Sequence, residues 1–194
     1  MDRRLGKDDW LRVARLALLR GGVEDIRLDR LARDLHVTKG SFYWHFRDRG
    51  DLLEALLSEW EDELREIVAQ LRQHKHRHSL IVLVRVLAER ARVSEAGGSP
   101  SDAAIFSWAA ASPEVRRRVN RVEEQRVKLL KKMIPDGARA ELFYLIWLGF
   151  VSRGQRLPES RLRFLDVARM ALRVLLPAKP RGRARRQTRR AARA

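Results

Sequence analysis

The sequence predicts an all-helical protein with a small N-terminal helix-turn-helix head, which a long helix joins to a larger C-terminal helical bundle. Nearly every periodic segment of the 194 residues repeats its apolar residues with helical spacing, and no run alternates with a period of two. Glycine and proline interrupt these segments at Gly21-Gly22, at 97–100 and at 134–137. There are no cysteines, and a chain of this length buries a core without disulfides. About nine helices are expected.

Three short helices are predicted in the head. The first spans about residues 7–19 and stops at the Gly21-Gly22 pair, and the second spans about 28–35. The third opens at Thr38, whose hydroxyl we expect to cap the first turn, and ends near Phe46.

The fourth helix is predicted to be long. Asp48 is placed to cap it, and Asp51 lies in its first turn, where the helix dipole favours a carboxylate. An apolar stripe then continues from Leu52 to Leu71 without interruption. A helix of this length carries the chain out of the head and into the body.

Five further helices are predicted in the body. Ser112 and Pro113 form a typical helix start, and Pro177 closes the fold. The predicted spans are about 80–94, 102–111, 113–133, 138–153 and 159–175. The expected division of the chain is therefore a helix-turn-helix head at 1–50, a larger helical body at 51–176 and a basic disordered tail at 177–194.

Positive charge is the strongest compositional signal. The net charge is +17, and the tail alone holds eight Arg and Lys residues and no acid. Such charge favours nucleic acid or an acidic membrane surface as a partner, and charge alone does not choose between them. We expect the tail to add nonspecific phosphate contacts, with binding to an acidic membrane or solvation alone as the alternatives.

The second and third helices are joined only by His36-Val37, so they must cross steeply, as in a helix-turn-helix. Phe42 and Phe46 share one face by their spacing of four and are expected to point inward. The glycine of the third helix, Gly40, allows close approach to a duplex. The outward residues suit phosphates and base edges: Lys39, Ser41, Tyr43, Trp44 and His45. An inert helical hairpin is the alternative.

The run LDRLARDLHVTKGSFYWHFRDRGDLL, from Leu28 to Leu53, resembles the DNA-binding signature of the tetracycline-repressor (TetR) family. The resemblance implies a transcription regulator, with repression and a palindromic DNA operator as family expectations. It places base contacts at Thr38, Lys39, Gly40 and Ser41, and phosphate contacts at Tyr43, Trp44, His45 and Arg49.

The sequence departs from the family pattern at two positions. Arg27 stands where members carry a Ser or Thr cap at the start of the second helix, so we expect the cap to be lost and the phosphate contact to be kept by charge. With Leu28 it completes the predicted DNA-binding set. His36 stands where a Gly is usual and must adopt a left-handed conformation at some cost.

The last two helices are the predicted dimer surface. The penultimate helix is apolar around nearly its whole circumference, and a second copy of the chain would cover it. Burial within one monomer is the alternative, and the family resemblance implies a four-helix interface. The residues concerned are Leu142, Phe143, Leu145, Ile146, Trp147, Leu148, Phe150 and Val151, with Phe164, Leu165, Ala168, Leu172 and Leu175 on the last helix.

An unidentified small-molecule effector is expected between the helices at 80–133, as the resemblance implies. Phe106, Trp108 and Tyr144 are the candidate ligand-binding residues, with ordinary core packing as the alternative. In the expected mechanism the ligand tilts the fourth helix and weakens operator binding reciprocally. A DNA-binding architectural protein without a ligand is the alternative function.

No enzyme, metal or cofactor is predicted. Phosphate loops, nucleophile elbows and zinc-protease motifs are missing, and the acids at 61–63 are expected on a solvated helix face. His74 and His78 have a spacing that can hold a metal, but they lack a third ligand, so a solvated linker is expected at 74–79. The N-terminus has no signal-peptide pattern, and no apolar stretch is long enough to span a bilayer. A soluble cytoplasmic protein is expected.

Overall fold

The structure is a computed structural model that describes residues 5–73, 76–95, 98, 101–134, 136–157 and 163–176, without the side chains of 76–78, 94, 95, 155 and 156. Over these ranges the chain forms nine α-helices, one 3₁₀ turn and no strand, which confirms the predicted fold class. The predicted tail at 177–194 lies outside the described residues and stays a prediction.

Three helices and the 3₁₀ turn form the head. They are α1 (Lys7–Gly21), the 3₁₀ turn (Val23–Asp25), α2 (Leu28–Asp34) and α3 (Lys39–Phe42). Helix α1 packs on α2 and on the helix after the head, and α2 packs on α3. The helix α3 is shorter than predicted, because the chain leaves helical geometry at Tyr43 and continues as a turn to His45.

Helix α4 (Arg49–Arg72) is the predicted long helix, about 36 Å at 1.5 Å per residue. Its N-terminus is capped as expected, since the Asp51 amide donates to Asp48 Oδ1 at 2.8 Å. Asp51 returns the contact by accepting from the Arg47 amide at 3.0 Å. These two bonds fix the angle at which the chain turns from the recognition segment into α4.

Five helices form the body: α5 (His76–Glu95), α6 (Asp102–Ala111), α7 (Pro113–Met133), α8 (Gly137–Arg156) and α9 (Phe164–Leu175). The helices α6 and α7 have the predicted bounds, and Ser112 caps α7 by accepting from the Val115 amide at 3.4 Å. The linker predicted at 74–79 is wrong from His76 onward, because that segment is already helical. Residues 74 and 75, and 158–162 of the predicted last helix, lie outside the described residues.

Two hydrophobic clusters fill the molecule, and α4 belongs to both. The first joins the head to the N-terminal half of α4 and to parts of α6 and α7. The second lies among the C-terminal half of α4, α5, α7, α8 and α9. The first cluster therefore continues across residue 50, where the sequence suggests a domain boundary. Within the described ranges, no helix combines the length and apolar character needed to cross a membrane.

Candidate DNA-binding surface and ligand cavity

A tight turn sets the crossing of α2 and α3. The His36 amide donates to Arg33 O at 3.1 Å and the Val37 amide to Ala32 O at 3.0 Å. His36 has a φ of 56°, the left-handed conformation that the sequence predicted for it. The turn therefore closes within two residues, as a helix-turn-helix requires.

The inner face of the recognition segment, residues 38–46, is anchored by aromatic packing. Phe42 and Phe46 are buried, as predicted, and their rings stack at 5.4 Å between centroids. The Trp10 ring of α1 meets Phe42 edge-on at 5.2 Å. Because this packing ties the inner face to α1, the outer face of the segment is held in one orientation.

The outer face of the recognition segment is open to solvent. Trp44 is 87% exposed and Tyr43 61% exposed, which is unusual for such large rings. Thr38, Lys39 and Gly40 lie on the same open side, whereas Ser41 and His45 are half-buried. Lys39 pairs with Asp29 of α2. The structure thus leaves Thr38, Lys39, Gly40, Tyr43 and Trp44 exposed along the recognition segment, and their contacts with DNA stay a prediction.

Two predictions about capping have different outcomes. The Thr38 hydroxyl makes no capping hydrogen bond, so the cap predicted for α3 is wrong. Arg27 does not cap α2 either, as expected, and its Nε donates instead to Glu24 O at 3.2 Å. Arg27 stays exposed beside α2, and Leu28 packs half-buried against the head core.

Arg49 is tied to the backbone of the head. Its Nε donates to Ile26 O at 2.7 Å and its Nη2 to Val23 O at 2.6 Å. The guanidinium thereby satisfies two carbonyls of the segment between α1 and α2 and links that segment to α4. The phosphate contact expected of Arg49 stays a prediction, and the structure adds an internal role.

The helices α8 and α9 bury one face and expose another. Phe143 and Trp147 on α8 are buried within the chain, as are Phe164, Ala168 and Leu175 on α9. These five side chains therefore serve the chain's own core, and their assignment to a dimer surface is wrong. Apolar side chains on the opposite faces remain exposed, namely Leu142, Leu145, Met170 and Val174.

A cavity of about 330 Å³ lies in the body among α4, α5, α7 and α8 and the N-terminus of α6, with Leu19 of α1 at its wall. Tyr144 lines it, and the predicted role of Tyr144 in ligand binding stays a prediction. Phe106 and Trp108 do not line it: both pack against the first cluster, and the Phe106 ring lies 6.2 Å from that of Trp60. Most of the wall is apolar and includes Leu64, Ile67, Leu83, Leu87, Ala91, Leu129, Leu130, Phe143, Trp147, Phe150 and Val151.

Asp102 is a buried carboxylate at the cavity wall that sequence analysis missed. It accepts from Trp60 Nε1 at 2.6 Å, from Trp147 Nε1 at 2.8 Å and from Arg126 Nη1 at 2.8 Å. Burial by itself raises the pKa of Asp102, but Arg126 and the two indole donors outweigh it and hold the pKa below its usual value. Asp102 therefore stays ionised and ties α6 to α4, α7 and α8.

Glu63 is a second buried acid at the cavity, and its expected place on a solvated face is wrong, since it is only 8% exposed. Arg90 Nη1 lies 2.9 Å from Glu63 Oε1, yet that oxygen accepts no hydrogen bond. Burial raises the pKa of Glu63 to about 7, although the charge of Arg90 opposes the shift. The group can therefore change charge near neutral pH.

Polar contacts connect the cavity helices to the head. Arg15 of α1 donates to both oxygens of Glu59 at 2.7 and 2.8 Å. Arg118 of α7 contacts Glu54 and Glu61 of α4, each through hydrogen bonds of 2.7 to 2.8 Å. A displacement of α4 therefore acts on α1 and α7 together. Among the described residues no three acidic or histidine side chains cluster as a metal site would require.

Comparisons with known proteins agree with this geometry. The family model for bacterial regulatory proteins of the tetR family matches residues 11–56. The HTH-type transcriptional regulator SrpR of Pseudomonas putida is 46% identical over 37 residues, which are 19% of this chain and 17% of SrpR. The uncharacterized HTH-type transcriptional regulator TtgW, also of Pseudomonas putida, is 46% identical over 37 residues, which are 19% of this chain and 28% of TtgW. The match thus spans less than a third of either relative.

Two solved structures share the whole fold. The fatty acid degradation regulator FadR of Bacillus halodurans superimposes with a TM-score of 0.66 at 15% identity, over 90% of this chain and 96% of that one. The transcriptional regulator FadR of Bacillus subtilis, solved in complex with stearoyl-CoA, superimposes with a TM-score of 0.56 at 12% identity, over 89% of this chain and 98% of that one.

The head, the long helix and the cavity-bearing body have the same fold as these two solved regulators. The match at 11–56 lies on α1 to α4, the elements that present the exposed recognition segment. This part of the chain, residues 11–56, is therefore similar to the DNA-binding head of the tetR family of bacterial regulatory proteins.

Proposed function

We propose that this chain is a homodimeric, sequence-specific transcription regulator that binds a palindromic DNA operator and is released from it when a small molecule occupies the body cavity. Repression is the direction of control that we propose. The function is one of binding and coupling and includes no catalytic step.

The exposed outer face of the recognition segment carries the proposal. Trp44, Tyr43 and Lys39 project into solvent while Phe42 and Phe46 lock the backbone beneath them. Aromatic hydroxyl and indole N–H groups donate to phosphates, and Lys reaches guanine in the major groove. Such a surface, on a segment this short, fits a DNA groove.

The proposed homodimer rests on the exposed apolar face of α8 and α9. Leu145 is 60% exposed and Val174 74% exposed, with Leu142 and Met170 nearby in sequence on the same two helices. A second copy that covers this face would also present two heads, and two heads about 34 Å apart reach successive major grooves. A palindromic operator follows from that symmetry.

The proposed coupling rests on the route from cavity to head. Leu19 of α1 and Leu64 and Ile67 of α4 line the cavity, so a ligand would contact two helices that also build the head core. A ligand that prefers one arrangement of α1 and α4 must change DNA affinity, and DNA must change ligand affinity by the same factor.

Selection of bound duplexes from a random DNA pool tests the DNA-binding part. We expect one palindromic sequence, bound at least about 1,000-fold more tightly than random duplex. Uniform binding to any duplex would instead favour the alternative, an architectural protein that packs DNA without regulation by a ligand.

A matched pair of variants tests the surface. Lys39→Ala should weaken operator binding about tenfold or more in fluorescence anisotropy, since it removes a predicted base contact. Lys128→Ala removes the same charge from α7, away from the head, and should leave the affinity within about twofold of the native protein. Equal losses in the two variants would contradict the proposed surface.

A further inference from the structure

Four charged side chains from four different helices meet at the wall of the body cavity. They are Glu63 of α4, Arg90 of α5, Asp102 of α6 and Arg126 of α7. Two carboxylates and two guanidinium groups leave this cluster without a large net charge. The net charge of the cluster therefore does not decide which ligands the cavity prefers. The deciding property is which of the four groups still lacks a hydrogen-bond partner.

Both arginines are already held by carboxylates. Arg126 donates to Asp102 at 2.8 Å and lies over the Trp60 ring at 4.9 Å. Arg90 lies 2.9 Å from Glu63 and donates to Glu66 at 2.8 Å. An anionic ligand would have to displace a resident carboxylate, and the displaced carboxylate would then be buried without a partner.

Glu63 is the group with unused hydrogen-bonding capacity. Its Oε1 is fully buried and accepts no hydrogen bond, although Arg90 is close enough to attract it. A carboxylate oxygen has room for two donors, and a buried acceptor without one costs free energy. A ligand cation that pairs with the Glu63 carboxylate at the cavity wall would remove that penalty.

The rest of the cavity suits the body of an apolar cation. Helix α8 contributes the rings of Phe143, Tyr144, Trp147 and Phe150, and those of Trp147 and Phe150 stack at 6.4 Å. Aromatic faces attract cations, and aliphatic side chains from α4 and α5 complete the wall. A long anionic chain would gain the apolar contacts but not the polar ones.

We propose that the effector is an apolar molecule carrying a protonated amine, whose ammonium pairs with the Glu63 carboxylate while its apolar part packs against the aromatic rings of α8. This inference names the chemical class of the ligand and rests on the proposed function. The ammonium pairs with the one acid of the cluster that has a buried oxygen accepting no hydrogen bond.

The pH dependence of binding follows from the same geometry. Desolvation raises the pKa of Glu63 to about 7, against the charge of Arg90 and with that of Asp102; Arg126 and Glu66 also face it. An ammonium ligand binds the ionised form more tightly, so its affinity should rise with pH. Between about pH 6 and pH 8 the ionised fraction grows about tenfold, and the association constant should follow.

Calorimetry on the full chain with three probes of one shape tests the class: phenylbutylamine, phenylbutyrate and phenylbutanol, with stearoyl-CoA as a fourth. We expect the amine to bind at least about tenfold more tightly than the carboxylate or the alcohol. Tighter binding of phenylbutyrate or of stearoyl-CoA, or no binding of the amine, would overturn the inference.

The variant Glu63→Gln tests whether Glu63 is the residue that binds the amine. This variant should weaken amine binding about tenfold and abolish its pH dependence, and leave phenylbutanol binding within about threefold. Glu124→Gln removes an exposed acid from α7 and is the matched control, with native affinity expected. If Glu63→Gln does not fold, the pH series on the native chain decides alone, and a flat profile refutes the role of Glu63.

Operator binding, measured in the same samples, separates this inference from the proposed function. If the amine binds through Glu63 and operator affinity does not change, the proposed ligand class is supported and the proposed release from DNA by a ligand is contradicted. An operator-bound chain that phenylbutyrate releases and phenylbutylamine does not would sustain the switch and refute the ligand class.

Discussion

The two halves of α4 pack against surroundings of opposite character. From Leu52 to Trp60 the helix faces a close-packed core in which Trp10 and Phe42 meet edge-on. From Glu63 to Leu71 it faces a cavity of about 330 Å³ with charged groups in its wall. A filled core has one good arrangement, whereas an unfilled one has several of similar energy. We therefore expect the head to keep its shape and the body to have room to rearrange when a ligand binds.

The largest expected effect separates a core tryptophan from a surface one. Trp10→Ala should lower the free energy of unfolding by about 3–5 kcal/mol, because it leaves a void in the head core. Trp44→Ala should change it by less than about 0.5 kcal/mol while weakening operator binding about tenfold. Urea unfolding followed by circular dichroism measures the first and anisotropy the second. Similar destabilisation by both would contradict the contrast drawn for the head.

In the body the corresponding effect is electrostatic. Asp102→Ala should destabilise the protein by about 3 kcal/mol, since it strands the buried guanidinium of Arg126 and two indole N–H groups. Asp102→Asn keeps the shape of the side chain and one oxygen that accepts hydrogen bonds, so it should lower the free energy of unfolding by less than Asp102→Ala does. Glu124→Ala removes an acid from an exposed site and is the control. If Asp102→Ala lowers the free energy of unfolding no more than this control does, a stabilising buried ion pair is contradicted.

A smaller effect concerns pH. The pKa of Glu63 is raised in the folded chain to about 7 from 4.5, so folding binds a proton and stability falls as pH rises toward 7. Between about pH 5.5 and pH 8 the native protein should lose about 2 kcal/mol that Glu63→Gln does not lose. Acids whose pKa is lowered, such as Asp102 and Glu61, change the stability only at lower pH and do not contribute to this difference. Parallel stability curves for the two proteins would show that Glu63 does not titrate there.

The smallest effect compares two helix starts in the head. Asp48→Ala should cost about 1 kcal/mol, because its carboxylate accepts from the Asp51 amide. Thr38→Ala should change stability by less than about 0.5 kcal/mol, because no capping bond is lost. Thermal unfolding of the two variants side by side measures this difference. A larger loss of stability for Thr38→Ala than for Asp48→Ala would contradict this prediction.

Sequence patterns were most informative where the physical cause is local. The bounds of α6 and α7 follow from Ser112 and Pro113, and the inward positions of Phe42 and Phe46 follow from their spacing. The left-handed conformation of His36 follows from a two-residue turn. In each case the residues that decide the outcome are neighbours in the chain.

The cavity could not be predicted in this way, because its polar groups come together from distant positions. Trp60 and Asp102 are 42 residues apart, and Asp102 and Trp147 are 45 apart. A charged residue on a helix is usually solvated, so neither Glu63 nor Asp102 stood out from other acids. An Asp within reach of two tryptophan N–H groups is a signal only once the tertiary contacts are known.

Arg118 gives α4 a fixed point. Its guanidinium holds Glu54 and Glu61 two helical turns apart, between the head and the cavity. Sliding α4 along α7 would separate all of these ion pairs at once. We therefore expect any ligand-driven motion of α4 to be a tilt about Arg118 rather than a shift along the helix axis, so that a displacement at the cavity end also moves the recognition segment at the other end.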